Sequence, residues 1–207
     1  MKIFKIIIGF FVSTVLLCSF IFISGNVSSE GNMTSLSDET GEKIHWRTFQ
    51  EAIELSKKEK RKIFIDVYTA WCGWCKVMDK NTFTNPVLVK YINEKYYAVK
   101  LDAEMKDSIF FNNYLFVNPD PKTTRSTHQL AASLLNNKMS YPTTVFLDEN
   151  FSLLTQVPGY MQPSQLEPII KYFGEDSFKN IKWEDYQQTF KSALPPENPS
   201  PATAPPH

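Results

Sequence analysis

Apolar runs that fit β-strands alternate along the chain with segments whose apolar residues recur at helical spacing. Lys62–Tyr68 is almost wholly apolar, β-branched or aromatic, which is typical of a strand buried on both faces. Tyr96–Leu101 is a second predicted strand, and Lys43–Trp46 is a possible short one. Thr143–Leu147 and Ser152–Val157 flank a short polar turn, a pattern that predicts a β-hairpin.

Helix starts fall between these strands. Capping-box pairs and an Asn-Pro step predict them, and they lie at Thr48 with Glu51, at Asn85-Pro86, and at Ser164 with Glu167. Further helical stretches are predicted after the cysteine pair, around Leu130–Leu135, and at Trp183–Ser192. The order β-α-β-α-β-α-β-β-α predicts an α/β fold with a central mixed β-sheet flanked by helices on both faces.

The N-terminus differs from the rest of the chain. Lys2 and Lys5 precede an uncharged apolar run, Ile6–Ser24, and small or polar residues follow it. This pattern predicts a secretory signal peptide over residues 1–25. The run is also long enough for an uncleaved membrane anchor, and the basic end would stay in the cytoplasm in either case. Cys18 lies within the apolar run and is interpreted as incidental.

Composition divides the remainder. Residues 26–42 are rich in Ser, Gly, Asn and Thr and are predicted to be a flexible tether. We assign 43–175 to one domain and 176–193 to a C-terminal helical extension. Residues 194–207 form a proline-rich tail that is predicted to be disordered.

Charge excludes one class of partner. Lys and Arg number 22, and Asp and Glu also number 22. No net field would therefore draw the protein to nucleic acid or to anionic lipid. We expect membrane contact only through the N-terminal segment, if that segment is not cleaved.

Beyond residue 25 the chain has two cysteines, Cys72 and Cys75. A disulfide scaffold would spread its cysteines to close long loops, whereas this pair lies in one turn. Half a zinc site is a competing interpretation, but tetrahedral zinc needs about four ligands and the histidines are scattered. An inert structural disulfide is another, although so short a loop removes little chain entropy. No metal or organic cofactor is predicted.

The spacing of the pair suits thiol–disulfide exchange. If Cys72 lies where a strand gives way to a helix, the helix N-terminus stabilises its thiolate. The thiolate could attack a substrate disulfide, and Cys75, one turn further on, could then release the reduced substrate. The strand before the pair and the helix-forming residues after it supply this context.

Trp71-Cys72-Gly73-Trp74-Cys75-Lys76 resembles the active-site signature of the thioredoxin-like family. The resemblance covers about residues 44–173. It is nearest to exported thioredoxin-like proteins of gram-negative bacteria that are related to the redox domains of the disulfide-reducing relay. It implies a thioredoxin fold. To that fold this chain is predicted to add an insertion before the helix that precedes a cis proline, and an extra C-terminal helix.

The resemblance also implies roles for single residues. Asp66 matches the buried carboxylate that assists proton transfer to the second cysteine, and Lys100 matches the lysine near it. A carboxylate on so apolar a strand should have a raised pKa, whereas an Asp66 at a wet strand end would be an ordinary edge residue. Lys100 could also simply reach solvent. Substrate contacts are implied for Trp71, Gly73, Trp74, Tyr141, the cis proline Pro142, and Gly159.

Three departures from the family pattern affect what can be expected. Trp74 stands where ordinary thioredoxin has proline, and it could contact substrate or cover the exposed helix turn. Tyr141 replaces a smaller aliphatic residue. Glu104–Ser126 is longer than the corresponding connection, and its aromatic residues could bind a partner or fold back onto the core.

The leading hypothesis is an exported, periplasmic protein thiol:disulfide oxidoreductase, a monomer that acts as a reductant. Its partners would be protein thiols and disulfides and a membrane electron-donor protein. The alternative is a thioredoxin-fold binding or chaperone-like module with little redox turnover. A disulfide isomerase is a third hypothesis, but no dimerisation segment is apparent.

Overall fold

The computed structural model describes residues 41–196. The predicted signal peptide or anchor, the tether up to residue 40, and the tail from residue 197 lie outside the described residues. Within residues 41–196 no helix is long and apolar enough to cross a membrane. The elements in chain order are α1 Phe49–Ser56, β1 Lys62–Tyr68, α2 Gly73–Asn81, α3 Pro86–Lys95, β2 Tyr96–Asp102, β3 Ile109–Phe111, β4 Tyr114–Phe116, α4 Gln129–Leu134, β5 Thr143–Leu147, β6 Leu153–Pro158, α5 Pro163–Gly174, a 3₁₀ turn Ser177–Lys179, and α6 Trp183–Thr189.

The central sheet is mixed, as predicted. Its strand order is β2-β1-β5-β6. β1 pairs in parallel with β2, while β1–β5 and β5–β6 are antiparallel. The hairpin of β5 and β6 is confirmed, and β1 occupies an interior position, which explains why its sequence is apolar on both faces.

Alternation along β1 divides the core into two layers. Ile63, Ile65 and Val67 pack with Phe49 of α1 and with residues of α4. Phe64 packs on the opposite face against α2, α3 and α5. Side chains at alternate strand positions share a face, so Asp66 points to the same face as Phe64, towards the helix that carries the cysteines.

Helix caps follow the predictions at two of three positions. The Thr48 hydroxyl accepts from the Glu51 N–H at 3.2 Å, and the Thr48 N–H donates to the Glu51 carboxylate at 2.7 Å. Asn85 caps α3 ahead of a proline in its first turn. The predicted capping box at Ser164 is wrong: α5 begins at Pro163, and the Gln162 N–H donates to Gln165 Oε1 at 2.8 Å. Proline suits the first helical position, where its missing N–H costs nothing.

The short strand predicted at Lys43–Trp46 is also wrong. Only Arg47 pairs with the sheet, through an isolated bridge to Val99. Ile44 is nevertheless buried and Trp46 packs on the core, so the apolar character of this segment reflects packing without a strand ladder.

The insertion folds as a short hairpin of β3 and β4. Ile109, Phe111 and Phe116 fold back onto the core layer that includes α1. Phe110, with 60% of its surface exposed, and Tyr114 and Leu115 are directed to solvent. Folding back onto the core is therefore confirmed for Phe111 and Phe116, and partner binding by the exposed residues stays a prediction.

The C-terminal extension is helical, as predicted, and a buried carboxylate attaches it to the domain. Glu167 of α5 is fully buried and accepts from Lys171 Nζ at 2.7 Å and from the Ala193 N–H at 2.8 Å. The Ser192 hydroxyl also donates to it. These bonds hold the chain that follows α6 against α5.

Candidate active site

The cysteine pair lies at the N-terminus of α2, directly after the turn that leaves β1. Cys72 is the N-cap residue with an extended backbone, and Gly73 begins the helix. Cys72 and Cys75 form a disulfide, with their Cα atoms 5.3 Å apart. The Cys75 N–H donates to Cys72 Sγ at 3.1 Å. This N–H and the positive end of the helix dipole would stabilise a thiolate on Cys72 in the reduced state.

Asp66 lies on β1, fully buried, as the sequence predicts. Its Oδ2 accepts from Lys100 Nζ at 2.6 Å, and its Oδ1 has no hydrogen-bond partner among the described residues. Burial raises the pKa of Asp66 to about 6, against the opposing effect of the Lys100 charge. A carboxyl with this pKa can take up or release a proton near neutral pH.

Lys100 lies opposite Asp66 in the parallel register of β1 and β2. Its ammonium group also donates to Asp79 of α2, one turn beyond Cys75. Burial alone would lower the pKa of Lys100, but the carboxylates of Asp66 and Asp79 outweigh it and the pKa lies above its usual range. The ammonium also lies 5.0 Å from the ring centroid of Trp46. Lys100 is therefore held as a cation. No sequence motif predicted that Asp79 would lie beside it.

The segment after α4 brings a proline and a glycine together. The Tyr141–Pro142 peptide bond is cis, as the resemblance implied. The Gly159 N–H donates to the Pro142 carbonyl oxygen at 2.8 Å. Gly159 has a φ of 98°, which L side chains rarely adopt. Pro142 and Gly159 are therefore held side by side, where β5 begins and β6 ends.

The two tryptophans of the motif lie in different surroundings. Trp71 is 51% exposed and meets Tyr141 edge to face, with ring centroids 5.9 Å apart. Trp74 packs on Tyr160, with ring centroids 5.3 Å apart. Trp71 and Tyr141 thus form one accessible aromatic surface beside Cys72, while Trp74 has an intramolecular partner next to Gly159.

Two charged residues of the insertion reach this surface, and the sequence analysis missed both. The Trp71 Nε1–H donates to Glu104 Oε1 at 2.9 Å. The Arg125 guanidinium lies over the Trp71 ring, 5.0 Å from its centroid. Neither residue belongs to a recognisable motif, and only the folding of the insertion brings them to the cysteines.

The zinc interpretation would need further ligands beside the cysteine pair. Within residues 41–196 no group of three or more His, Cys, Asp or Glu side chains converges as a metal site would require. His128 is buried and caps α4, where its Nδ1 accepts from the Leu130 N–H at 3.2 Å. His128 is thus the N-cap residue of α4.

Solved structures of similar shape include an oxidoreductase called DsbH, with 16% sequence identity and a TM-score of 0.49. The alignment covers 71% of this chain and 95% of that one. A thioredoxin-fold protein from Helicobacter pylori aligns with 18% identity and a TM-score of 0.48, over 62% of this chain and 79% of that one.

Curated relatives match through parts of their length. The thiol:disulfide interchange protein DsbD of Actinobacillus pleuropneumoniae is 26% identical over 145 residues, which are 67% of this chain and 21% of that protein. Human spermatogenesis-associated protein 20 is 32% identical over 60 residues, 29% of this chain and 8% of that protein. An uncharacterised Caenorhabditis elegans protein, B0495.5, is 34% identical over 67 residues, 32% of this chain and 9% of that protein. The matched segment is thus less than a quarter of the length of each of these relatives.

A family model matches over a much larger part of the chain. The model is that of Thioredox_DsbH, described as a protein of unknown function, DUF255, and it matches residues 28–191. The match begins inside the predicted tether and ends at residue 191, so it includes all but the last two residues of the C-terminal helical extension. It agrees with the mixed sheet, the flanking helices and the paired cysteines, and the chain belongs to this thioredoxin-like family.

Proposed function

We propose that the chain is an exported protein thiol:disulfide oxidoreductase that acts as a reductant. The observation that carries the proposal is the cysteine pair at the start of α2, on the sheet face to which the buried Asp66 points. The name of the DsbD relative, a thiol:disulfide interchange protein, supports the same class of reaction.

The reaction proceeds in two exchanges. The Cys72 thiolate attacks one sulfur of a substrate disulfide, so that a Cys72–substrate disulfide forms and the other substrate sulfur leaves as a thiolate. Cys75 gives its proton to the Asp66 carboxylate and attacks Cys72 Sγ. The second substrate sulfur then leaves, the substrate has gained two electrons, and the Cys72–Cys75 disulfide is restored.

The substrate would dock on a surface formed by Trp71, Gly73, Trp74, Tyr141, Pro142 and Gly159. A membrane protein with a reduced dithiol would return two electrons to the pair. The N-terminal basic and apolar segment supports export to the periplasm, with a membrane tether if the segment is retained. We propose a monomer.

Single cysteine variants test the mechanism. Cys75→Ser should accumulate a covalent adduct with a disulfide-bonded substrate that dithiothreitol cleaves, whereas Cys72→Ser should form none. If both variants trap substrate equally, the order of attack is wrong. If the wild type reduces no disulfide at all, the oxidoreductase proposal fails.

The equilibrium reduction potential of the pair tests the direction. The pair is titrated against dithiothreitol, and tryptophan fluorescence reports its redox state. The reduction potential should lie near that of thioredoxin, about −270 mV. A value near about −120 mV would instead indicate a disulfide-forming enzyme.

A binding module is the second candidate, because Phe110, Tyr114 and Leu115 are exposed together on the insertion hairpin. Replacing both cysteines with serine separates the two candidates. A binding module would retain its cellular phenotype after this change, whereas an oxidoreductase would lose it.

A further inference from the structure

A recess of about 350 Å³ opens beside the cysteine pair. Its lining side chains are Trp71, Glu104, Arg125, Thr127, Met139 and Tyr141. Trp71 directly precedes Cys72, and Tyr141 directly precedes the cis proline. The recess is therefore continuous with the surface proposed to receive substrate, and the insertion extends that surface through Glu104 and Arg125.

The two charges of the recess are available for a ligand. Both lie against Trp71, with Glu104 at its indole N–H and Arg125 over its ring. Neither Glu104 nor Arg125 forms an ion pair with any of residues 41–196. Glu104 thus retains a free carboxylate oxygen as an acceptor, and the guanidinium of Arg125 retains its donors.

A buried asparagine joins the two chain segments that carry the charges. Asn118 Nδ2 donates to the Met105 carbonyl at 3.1 Å and to the Ser126 carbonyl at 2.9 Å. The Ser126 hydroxyl donates back to Asn118 Oδ1 at 2.6 Å. These bonds join the two ends of the insertion at the residues that adjoin Glu104 and Arg125. The recess is therefore organised before any substrate arrives, which lowers the entropic cost of binding.

We propose that this recess binds the main chain of an extended polypeptide next to its disulfide, with Glu104 accepting a peptide N–H and Arg125 donating to a peptide carbonyl. The inference rests on the proposed oxidoreductase function. An extended segment presents N–H and C=O groups in alternation, and the recess offers one acceptor at the edge of Trp71 and one donor group over its ring, which can pair with such groups. Opposite charges in one small recess give little net preference for the charge of a substrate side chain. The site therefore favours protein disulfides over disulfides that lack peptide groups.

The test compares two substrates of the reduced, full-length protein. One is a cyclic peptide disulfide with uncharged residues beside its cysteines, and the other is 2-hydroxyethyl disulfide, which has no peptide group. Glu104→Gln and Arg125→Gln each remove one charge with little change in side-chain size. Lys122→Gln is the matched control, because Lys122 is an exposed cation of the same insertion.

Both recess variants should lower kcat/KM for the peptide about five- to tenfold, mainly through KM, because charge-assisted hydrogen bonds are about twice as strong as neutral ones. Turnover of 2-hydroxyethyl disulfide should change less than about twofold, which also shows that each variant is folded. Lys122→Gln should behave as the wild type with both substrates.

Three results would overturn the inference. If kcat/KM falls equally for the two substrates, the substitutions act on the cysteines. If kcat/KM falls for neither substrate, the recess has no role in binding. If a second cyclic peptide with a charged residue beside its cysteines shows a loss of kcat/KM and the uncharged peptide shows none, the recess recognises side chains instead of the main chain. In each case a wild type that reduces both substrates through Cys72 leaves the oxidoreductase proposal intact.

Discussion

Replacing Asp66 with asparagine removes a buried carboxylate and leaves a side chain of nearly the same shape. In the folded chain the pKa of Asp66 is raised to about 6, mainly by burial. In an unfolded chain the pKa of an aspartate is about 3.9. The folded protein thus binds this proton more tightly, and the ionised form opposes folding.

The two pKa values give the sign and the size of the effect. Because the folded-state value is raised, the contribution of Asp66 to stability is fully present below about pH 3.9 and is lost as pH rises through about 6. A difference of about two pKa units corresponds to about 3 kcal/mol. Between pH 4 and pH 8, the free energy of unfolding of Asp66→Asn should therefore rise by up to about 3 kcal/mol relative to that of the wild type. Any constant offset, such as altered bonding to Lys100, cancels in this comparison.

Urea unfolding of the oxidised protein measures the effect. The free energy of unfolding is determined for both chains at pH 4, 6 and 8, and the difference between variant and wild type is plotted against pH. Asp107→Asn serves as the control, because Asp107 is exposed. A difference that is the same at all three pH values would refute the reasoning, since the carboxyl would then not titrate in this range.

Three other substitutions have expected outcomes. Gly159→Ala should destabilise the protein by about 1–2 kcal/mol in urea unfolding, because φ is 98° there although no atom would meet the added methyl group. Glu167→Gln should cost about 1–3 kcal/mol at pH 7. The folded-state pKa of Glu167 lies below its usual value, because bonds from Lys171 and Ser192 outweigh burial, so this cost should fade as pH drops through that pKa. Asp79→Asn should lower the pKa of Asp66, since the charge of Asp79 raises it. The midpoint of the Asp66 carboxyl infrared band against pH would then fall, and an unchanged midpoint would contradict the coupling.

The strands of the central sheet and two of the three cap-based helix starts could be predicted because their signals are local. Lys62–Tyr68 has one run of apolar residues long enough for an interior strand, and the Thr48 and Asn85 caps fix helix starts within one turn. The predicted start of α5 was wrong because two capping patterns lie two residues apart, and Pro163 favours the earlier one. The strand predicted at Lys43–Trp46 was wrong because an apolar segment can be buried without pairing to a strand.

The part of the site that the sequence could not supply depends on contacts between distant segments. Glu104 and Arg125 meet Trp71 only because Asn118 joins the ends of the insertion. Asp79 meets Lys100 only because α2 lies over the strand that pairs with β2. The roles of Asp66 and Lys100 came from the family resemblance, and the apolar strand around Asp66 added a physical reason for its raised pKa.

The position of Lys100 gives Asp66 a pKa that suits its proposed role as a proton acceptor for a cysteine. Burial alone can raise the pKa of a carboxyl to about 8–9, where it would already hold a proton and could not accept one. A nearby cation in water-exposed surroundings would instead lower the pKa below about 4 and leave a weak base. Lys100 lies 2.6 Å from Asp66 but shares its charge with Asp79, so it offsets burial only in part. The resulting pKa of about 6 lies between these limits, and the proposed transfer from Cys75 needs a carboxyl of this intermediate strength.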